Sequence, residues 1–305
     1  MWELIRANRR KSFFLLLGMG IVLLLLGYVI GYGIGGPYTA FNGLIIATGI
    51  WFVMTLVGFY KGSSILLSAS NAVEVTPDVH PRLFNVVEEM RIAAGLSKMP
   101  KVYIIQSNAL NAFASGRNPE NSAIAVTAGL LAVTNRDELQ GVVAHEMSHI
   151  VNRDIRFMTL AGIMLGSIVL ISQVFMRGVF YSSATRYRGS SKEGGGAQLV
   201  MMAVALLFAI LAPIAAQLLY FAISRKREYL ADASAVKLTR YPEGLASALE
   251  KISGSSADLE SANKVTAPMF IANPLKPKGA RMRNLSSTHP PIDERIRILR
   301  QLSVA

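Results

Sequence analysis

The sequence contains no cysteine and few charged residues. The absence of cysteine excludes disulfide bonds and thiolate metal sites, so any bound metal must take nitrogen or oxygen ligands. Only 16% of the 305 residues are charged, whereas soluble domains average about 25%. Because 52% of the residues are also hydrophobic, the composition indicates a membrane protein.

Charged residues are missing from three long stretches, the intervals 12–60, 157–176 and 194–224. A helix needs about 20 apolar residues to cross a bilayer, so these intervals hold two, one and one spans. The turn-rich sequence GYGIGGPY at 31–38 divides the first interval into a hairpin. The sequence therefore predicts an α-helical membrane protein with four transmembrane helices, near 13–35, 39–60, 157–176 and 199–223.

Basic residues next to the first predicted span indicate its orientation. Four basic residues precede an apolar run that is too long for a signal peptide and has no small-residue cleavage site. The positive-inside rule then places the N-terminus in the cytoplasm, and four spans return the C-terminus to the same side. The basic triplet at 225–227 agrees with this orientation, whereas the basic loop 177–198 opposes it. We expect a multi-pass protein of the cell membrane with its two large polar segments in the cytoplasm.

The net charge of +12 does not indicate a nucleic-acid partner. Segment 61–156 has nine basic and nine acidic residues, so its net charge is zero. The excess of basic residues lies beside the spans and in the C-terminal tail, where it can meet anionic lipid headgroups. The lipid bilayer is therefore the expected partner of these charges.

The polar segments predict a small α+β domain. Helices are expected at 81–95 and 137–154, the second capped by Thr134 or Asn135. Period-2 patterns predict short strands at 101–105, 111–118 and 122–127. The chain then divides into a transmembrane hairpin (1–60), a cytoplasmic subdomain (61–156), a second transmembrane hairpin (157–223) and a cytoplasmic C-terminal subdomain (224–305).

Two of the four histidines stand four residues apart in the sequence VVAHEMSHIV. On a helix, His145 and His149 project from one face, and both imidazoles can reach one zinc ion. Glu146 lies beside them, where it can hold a zinc-bound water and take its proton. Chance is the alternative, but the apolar flanks and helical context favour a zinc site.

A catalytic zinc ion needs a third protein ligand, which must come from His80, His289 or a carboxylate. Glu228 and Asp232 are also four residues apart, directly after the fourth span. Spacing alone fits a solvated helix face equally well. If the last two spans form a hairpin, however, Glu228 meets the two histidines and completes the site, and Asp232 accepts a hydrogen bond from the far nitrogen of His145. His80 precedes Pro81 at a helix start and is expected to be structural.

Four motifs carry a resemblance over nearly the whole chain: AHEMSHIVNRD, REYLAD, NAFASG and STHPPIDERI. They are similar to those of the HtpX-type membrane zinc metallopeptidases, gluzincins related to the CAAX prenyl proteases. The resemblance implies a zincin-like fold, one Zn²⁺ per chain and an endopeptidase that clears damaged or misfolded membrane proteins at the cytoplasmic face, often under stress. It assigns His145, His149 and Glu228 as zinc ligands, Glu146 as the catalytic base and Asp232 as a residue that supports the zinc ligands.

The resemblance also implies two substrate-handling features. Residues Asn111, Ala112, Phe113 and Ala114 resemble the edge strand to which an extended peptide adds by backbone hydrogen bonds; an ordinary core strand is the alternative. His289 has three interpretations: a stabiliser of the oxyanion, a fourth zinc ligand of a resting state, or a cap of the following helix. Rival functions are a CAAX-type processing protease, a non-catalytic scaffold that keeps zinc for stability, and a transporter. The spans lack the ionisable residues that a transporter needs.

Overall fold

The computed structural model describes residues 2–185, 196–255, 270–272 and 290–302. Its contacts divide the chain into two compact units. The first unit contains Met1–Asn8, Gly58–Leu160 and Phe221–Ala305 and includes the small sheet. The second unit contains Arg9–Val57 and Ala161–Tyr220, and its described part is helical apart from the bend at Gly36.

Four helices are long and apolar enough to cross a membrane, which confirms the predicted number of spans. They are α1 (Trp2–Gly35), α2 (Pro37–Ala69), α6 (Asp154–Thr185) and α7 (Gly196–Thr239). All four exceed the predicted spans, because helical hydrogen bonding continues past the first charged residue that ends an apolar run. The predicted loop 177–198 is accordingly wrong at both ends, and its middle, 186–195, lies outside the described residues.

In the second unit, α1 and α2 pack closely through glycines. A Cβ atom on Gly43 would collide with the backbone oxygen of Gly27. The hydroxyl of Thr39 donates a hydrogen bond to the carbonyl of Gly31 at 2.8 Å. Small residues at such a crossing let two membrane helices approach at backbone distance.

The first unit contains a four-stranded sheet of β1 (Ala72–Glu74), β2 (Lys101–Ile105), β3 (Ala112–Asn118) and β4 (Asn121–Thr127). The strands lie in the order β1-β2-β4-β3. Strands β2 and β4 are parallel and the other neighbours are antiparallel. Strands β2, β3 and β4 match the three predicted strands. Strand β1 was not predicted, because its three residues are too few to show an alternation of polar and apolar residues. The strand order places β3 at an edge of the sheet.

Five shorter helices complete the described part of the first unit: α3 (Pro81–Ala93), α4 (Ala128–Val133), α5 (Arg136–Val151), α8 (Pro242–Gly254) and α9 (Ile292–Leu302). Helix α5 contacts α3, α8 and the strands β3 and β4. Its packing on α8 requires Gly141, because a Cβ atom there would lie 2.5 Å from the backbone nitrogen of Leu245. The apolar face of α5 is thus enclosed on several sides.

The ends of α5 define where its side chains point. Asn135 and Glu138 form a reciprocal capping box at its start, so Asn135 rather than Thr134 is the cap. The predicted helix 137–154 is wrong at its end. Arg153 has a φ of 60°, in the left-handed region, and this residue separates α5 from α6.

Candidate metal centre

Three buried side chains from two helices converge at one point. His145 and His149 lie one turn apart on α5, and their Nε2 atoms are 3.3 Å from each other. Glu228, on α7, places Oε2 3.5 Å from Nε2 of His145 and Oε1 3.5 Å from Nε2 of His149. The third ligand proposed from the sequence therefore joins the two histidines across 79 residues of chain.

The spacing of these donor atoms fits zinc. Zinc bonds of about 2.1 Å at the tetrahedral angle place neighbouring ligand atoms about 3.4 Å apart. The 3.3 Å between the two Nε2 atoms matches this value. Each oxygen of Glu228 lies 3.5 Å from a different Nε2 atom, so the carboxylate faces both histidines. Two imidazoles and one carboxylate also form a donor set found in catalytic zinc sites, in which a fourth position stays open. Among the described residues, this is the cluster of ligand side chains that could hold a metal ion.

Glu146 lies beside the two histidines and is 1% exposed. Its burial raises the pKa of the carboxyl group, although His145 and His149 act in the opposite direction. The nearby backbone of Ala114, on the edge strand β3, also acts to lower this pKa. The side chain therefore lies close to both the metal-ligating face of α5 and the edge strand β3.

Asp232 supports the first histidine. Its Oδ1 lies 2.9 Å from Nδ1 of His145. Burial would raise the pKa of this carboxyl group, but Arg295 and His145 outweigh that effect and lower it to about 2. Burial alone would lower the pKa of His145, and its hydrogen bonds to Asp232 and Glu228 raise it to about 9. The pair keeps Nε2 of His145 directed at the other two ligands.

Two functional neighbours of the ligands were not predicted from the sequence. Arg295, fully buried on α9, hydrogen-bonds Asp232 and places Nη2 3.4 Å from Nδ1 of His145. Asp154, the first residue of α6, places Oδ2 3.3 Å from Nδ1 of His149. The only signals in the sequence were the presence of Arg295 in STHPPIDERI and of Asp154 in AHEMSHIVNRD.

The predicted substrate-binding residues are buried: Ala112, Phe113 and Ala114 begin the edge strand β3, and Asn111 directly precedes it. Part of this edge is already paired within the chain. The backbone N–H of Ile271 donates to the carbonyl of Ala112 at 2.9 Å. The side chain of Asn111 hydrogen-bonds both the N–H and the carbonyl of Ala272, and Phe270 packs edge-on against Phe113. No pattern in the sequence indicated that segment 270–272 would pair here.

The remaining two histidines are His80, whose contacts the structure describes, and His289, which it does not describe. His80 caps α3, and its Nδ1 accepts a hydrogen bond from the backbone N–H of Leu83 at 3.2 Å. This contact agrees with the structural role expected for His80. His289 lies outside the described residues, so its three interpretations stay predictions.

Residues 77–303 match the sequence pattern of peptidase family M48. This range covers most of the chain and contains all three candidate ligands. The chain belongs to peptidase family M48. As an M48 zinc metallopeptidase, it has its candidate zinc site at His145, His149 and Glu228.

Within M48, the chain is similar along its whole length to proteins named "Protease HtpX homolog". It is 44% identical to that of Dictyoglomus turgidum over 302 residues, covering 99% of this chain and 94% of the relative. It is 45% identical to that of Listeria monocytogenes over 307 residues, covering 99% and 100%. The family resemblance seen in the motifs is thereby confirmed as HtpX-type.

Among solved structures, Ste24p of S. mikatae is similar with a TM-score of 0.48 and 20% sequence identity. The match covers 98% of this chain and 66% of that structure.

Proposed function

We propose that this M48 peptidase hydrolyses peptide bonds of misfolded or damaged membrane proteins at the cytoplasmic face of the cell membrane. The observation that carries the proposal is the position of Glu146. It lies beside the candidate zinc ligands His145 and His149 and close to the backbone of Ala114 on the edge strand β3. A scaffold that kept zinc only for stability would have no use for a buried acid at this position.

The chain's own residues supply the acid–base chemistry. Bound zinc would polarise the scissile carbonyl and acidify a water molecule. Glu146 takes the proton of the attacking water and later delivers it to the leaving amine. Its burial and the resulting raised pKa suit this role, because a carboxylate of ordinary pKa is a weak base near neutral pH.

The edge strand β3 supports an enzyme that accepts substrates of many different sequences. An extended peptide that adds to β3 is bound through its backbone, which gives affinity with little sequence preference. A quality-control enzyme needs this property because damaged proteins share no motif. A CAAX-type processing enzyme would instead need selectivity for a lipidated C-terminus.

The closeness of the site to the spans along the chain supports membrane proteins as substrates. His149 precedes the first residue of the candidate span 154–179 by five positions, and Glu228 follows the end of the candidate span 200–219 by nine. The basic residues before the first span support a cytoplasmic site.

The purified chain in lipid vesicles tests this proposal. A destabilised variant of a test membrane protein should be cleaved faster than its stable parent, and a chelator should stop both reactions. Equal rates for the two forms would argue against quality control. Cleavage restricted to a prenylated C-terminal peptide would support the CAAX-type alternative instead.

A further inference from the structure

The second ligand histidine has a carboxylate on its far nitrogen, and this carboxylate is itself held by a guanidinium group. Oδ2 of Asp154 lies 3.3 Å from Nδ1 of His149. Oδ1 of Asp154 accepts a hydrogen bond from Nη1 of Arg227 at 2.6 Å. All three side chains are at most 5% exposed, so water does not weaken their interactions.

The break between α5 and α6 is what brings Asp154 to His149. In a continuous α-helix, a residue five positions on is rotated by about 140° and faces away. Here the left-handed backbone of Arg153 ends α5, and Asp154 starts a new helix. The turn therefore reorients a carboxylate onto the ring that it would otherwise miss.

Arg227 fixes the other side of this carboxylate. It directly precedes the ligand Glu228 on α7, and its guanidinium lies 4.4 Å above the ring of Phe157 on α6. Such a stacked, hydrogen-bonded guanidinium has little freedom to move. Arg227 is thus a buried partner of Asp154 as well as part of the basic triplet 225–227.

We propose that Asp154 is a positioning residue for the candidate zinc site and that Arg227 holds it in place. A carboxylate that accepts the Nδ1–H of His149 leaves the lone pair on Nε2, the atom that faces Glu228 and His145. Asp232 and Arg295 make the equivalent arrangement on His145. Each ligand histidine is then oriented by its own carboxylate–arginine pair, supplied by α6 and α7 for His149 and by α7 and α9 for His145.

This proposal rests on zinc binding by the three ligands, so its test measures metal affinity rather than cleavage. The full chain in detergent is used in a Glu146→Gln background, which removes the proposed base and prevents self-cleavage. Zinc affinity is measured by competition with a chelator. Asp154→Asn should bind zinc about 10–100-fold more weakly, the usual effect of losing such a partner.

Glu138→Gln is the matched control. Like Asp154, Glu138 is a buried acid in an ion pair: it lies on α5 and pairs with Lys251 at 2.7 Å. It does not contact any of the three candidate zinc ligands. Glutamine can keep its capping box with Asn135. This variant should bind zinc as tightly as its parent. An equal loss of affinity here would overturn the proposal, because any broken ion pair would then weaken the site.

Arg227→Met provides a second variant that leaves Asp154 in place. It should also lose zinc affinity, and Arg227→Lys should recover part of the loss; the absorption spectrum of bound Co²⁺ should change in the same order. Parent-like affinity in both Asp154→Asn and Arg227→Met would overturn the proposal. His149→Ala is the reference: if it too binds zinc like its parent, the ligand set itself is wrong and the proposed function fails with it.

Discussion

Arg295 donates two hydrogen bonds to the carboxylate of Asp232, from Nε to Oδ2 at 2.8 Å and from Nη2 to Oδ1 at 2.7 Å. The same guanidinium donates through Nη1 to the carbonyl of Ile271 at 3.0 Å. Arg295 therefore links Asp232, which supports the candidate zinc ligand His145, to segment 270–272, which pairs with the edge strand β3. Both members of the ion pair are buried, so each strongly stabilises the charge of the other.

Arg295→Met should destabilise the protein strongly. The substitution breaks a buried ion pair and leaves the charge of Asp232 supported by His145 alone, which costs about 3–5 kcal/mol. The apparent melting temperature in detergent should fall by at least about 5 °C. Arg300→Met is the control on the same helix, because Arg300 pairs with Glu243 and Glu250 at the surface and should matter little. Similar melting temperatures for the two variants would contradict a special role for Arg295.

Glu228→Ala should reduce bound zinc. The change removes the only carboxylate of the proposed ligand set and leaves two histidines, which cannot hold a catalytic zinc site alone. Metal analysis after dialysis should show clearly less zinc per chain than in the wild type. Glu243→Ala removes an acid from α8, away from the ligands, and should retain the full amount. Unchanged zinc in Glu228→Ala would exclude it as a ligand.

A peptide substrate should displace the segment 270–272 from the edge strand. Ile271 donates to the carbonyl of Ala112, which a substrate strand on β3 would also use. Addition of an uncleaved peptide to Glu146→Gln should therefore speed deuterium exchange in fragments that contain Ile271. Fragments of β4 that pair with the other side of β3 serve as the control and should not change. Unchanged exchange at 270–272 would show that peptides bind elsewhere.

Cysteine labelling should establish the sidedness, since the chain has no cysteine of its own. Glu120→Cys lies in the exposed turn between β3 and β4 and should react with an impermeant reagent only from the cytoplasmic side. Tyr38 is 83% exposed at the start of α2, and Tyr38→Cys should react only from the opposite side. The reverse pattern would invert the proposed orientation.

The sequence was most informative where spacing along one helix encodes a site. His145 and His149, like Glu228 and Asp232, reveal themselves because four residues make about one helical turn. The four spans were equally visible, because uncharged runs long enough to cross a bilayer are rare in soluble domains.

The missed contacts depend on tertiary structure. Arg295 is 63 residues from Asp232, and nothing in an amphipathic helix identifies which arginine will be buried. Asp154 reaches His149 only because of the left-handed residue between two helices, whereas the sequence predicted a continuous helix. The pairing of 270–272 with Ala112 joins segments about 160 residues apart and follows no pattern in either.

The most direct measurement compares wild type and Glu146→Gln for zinc content and for cleavage of one destabilised membrane protein, with and without chelator. Both proteins should contain equal amounts of zinc. Cleavage by Glu146→Gln should be slower by about 10²–10⁴-fold, the usual contribution of a general base. Cleavage by Glu146→Gln at the wild-type rate, or wild-type cleavage that survives removal of zinc, would contradict the proposed catalytic role of this site.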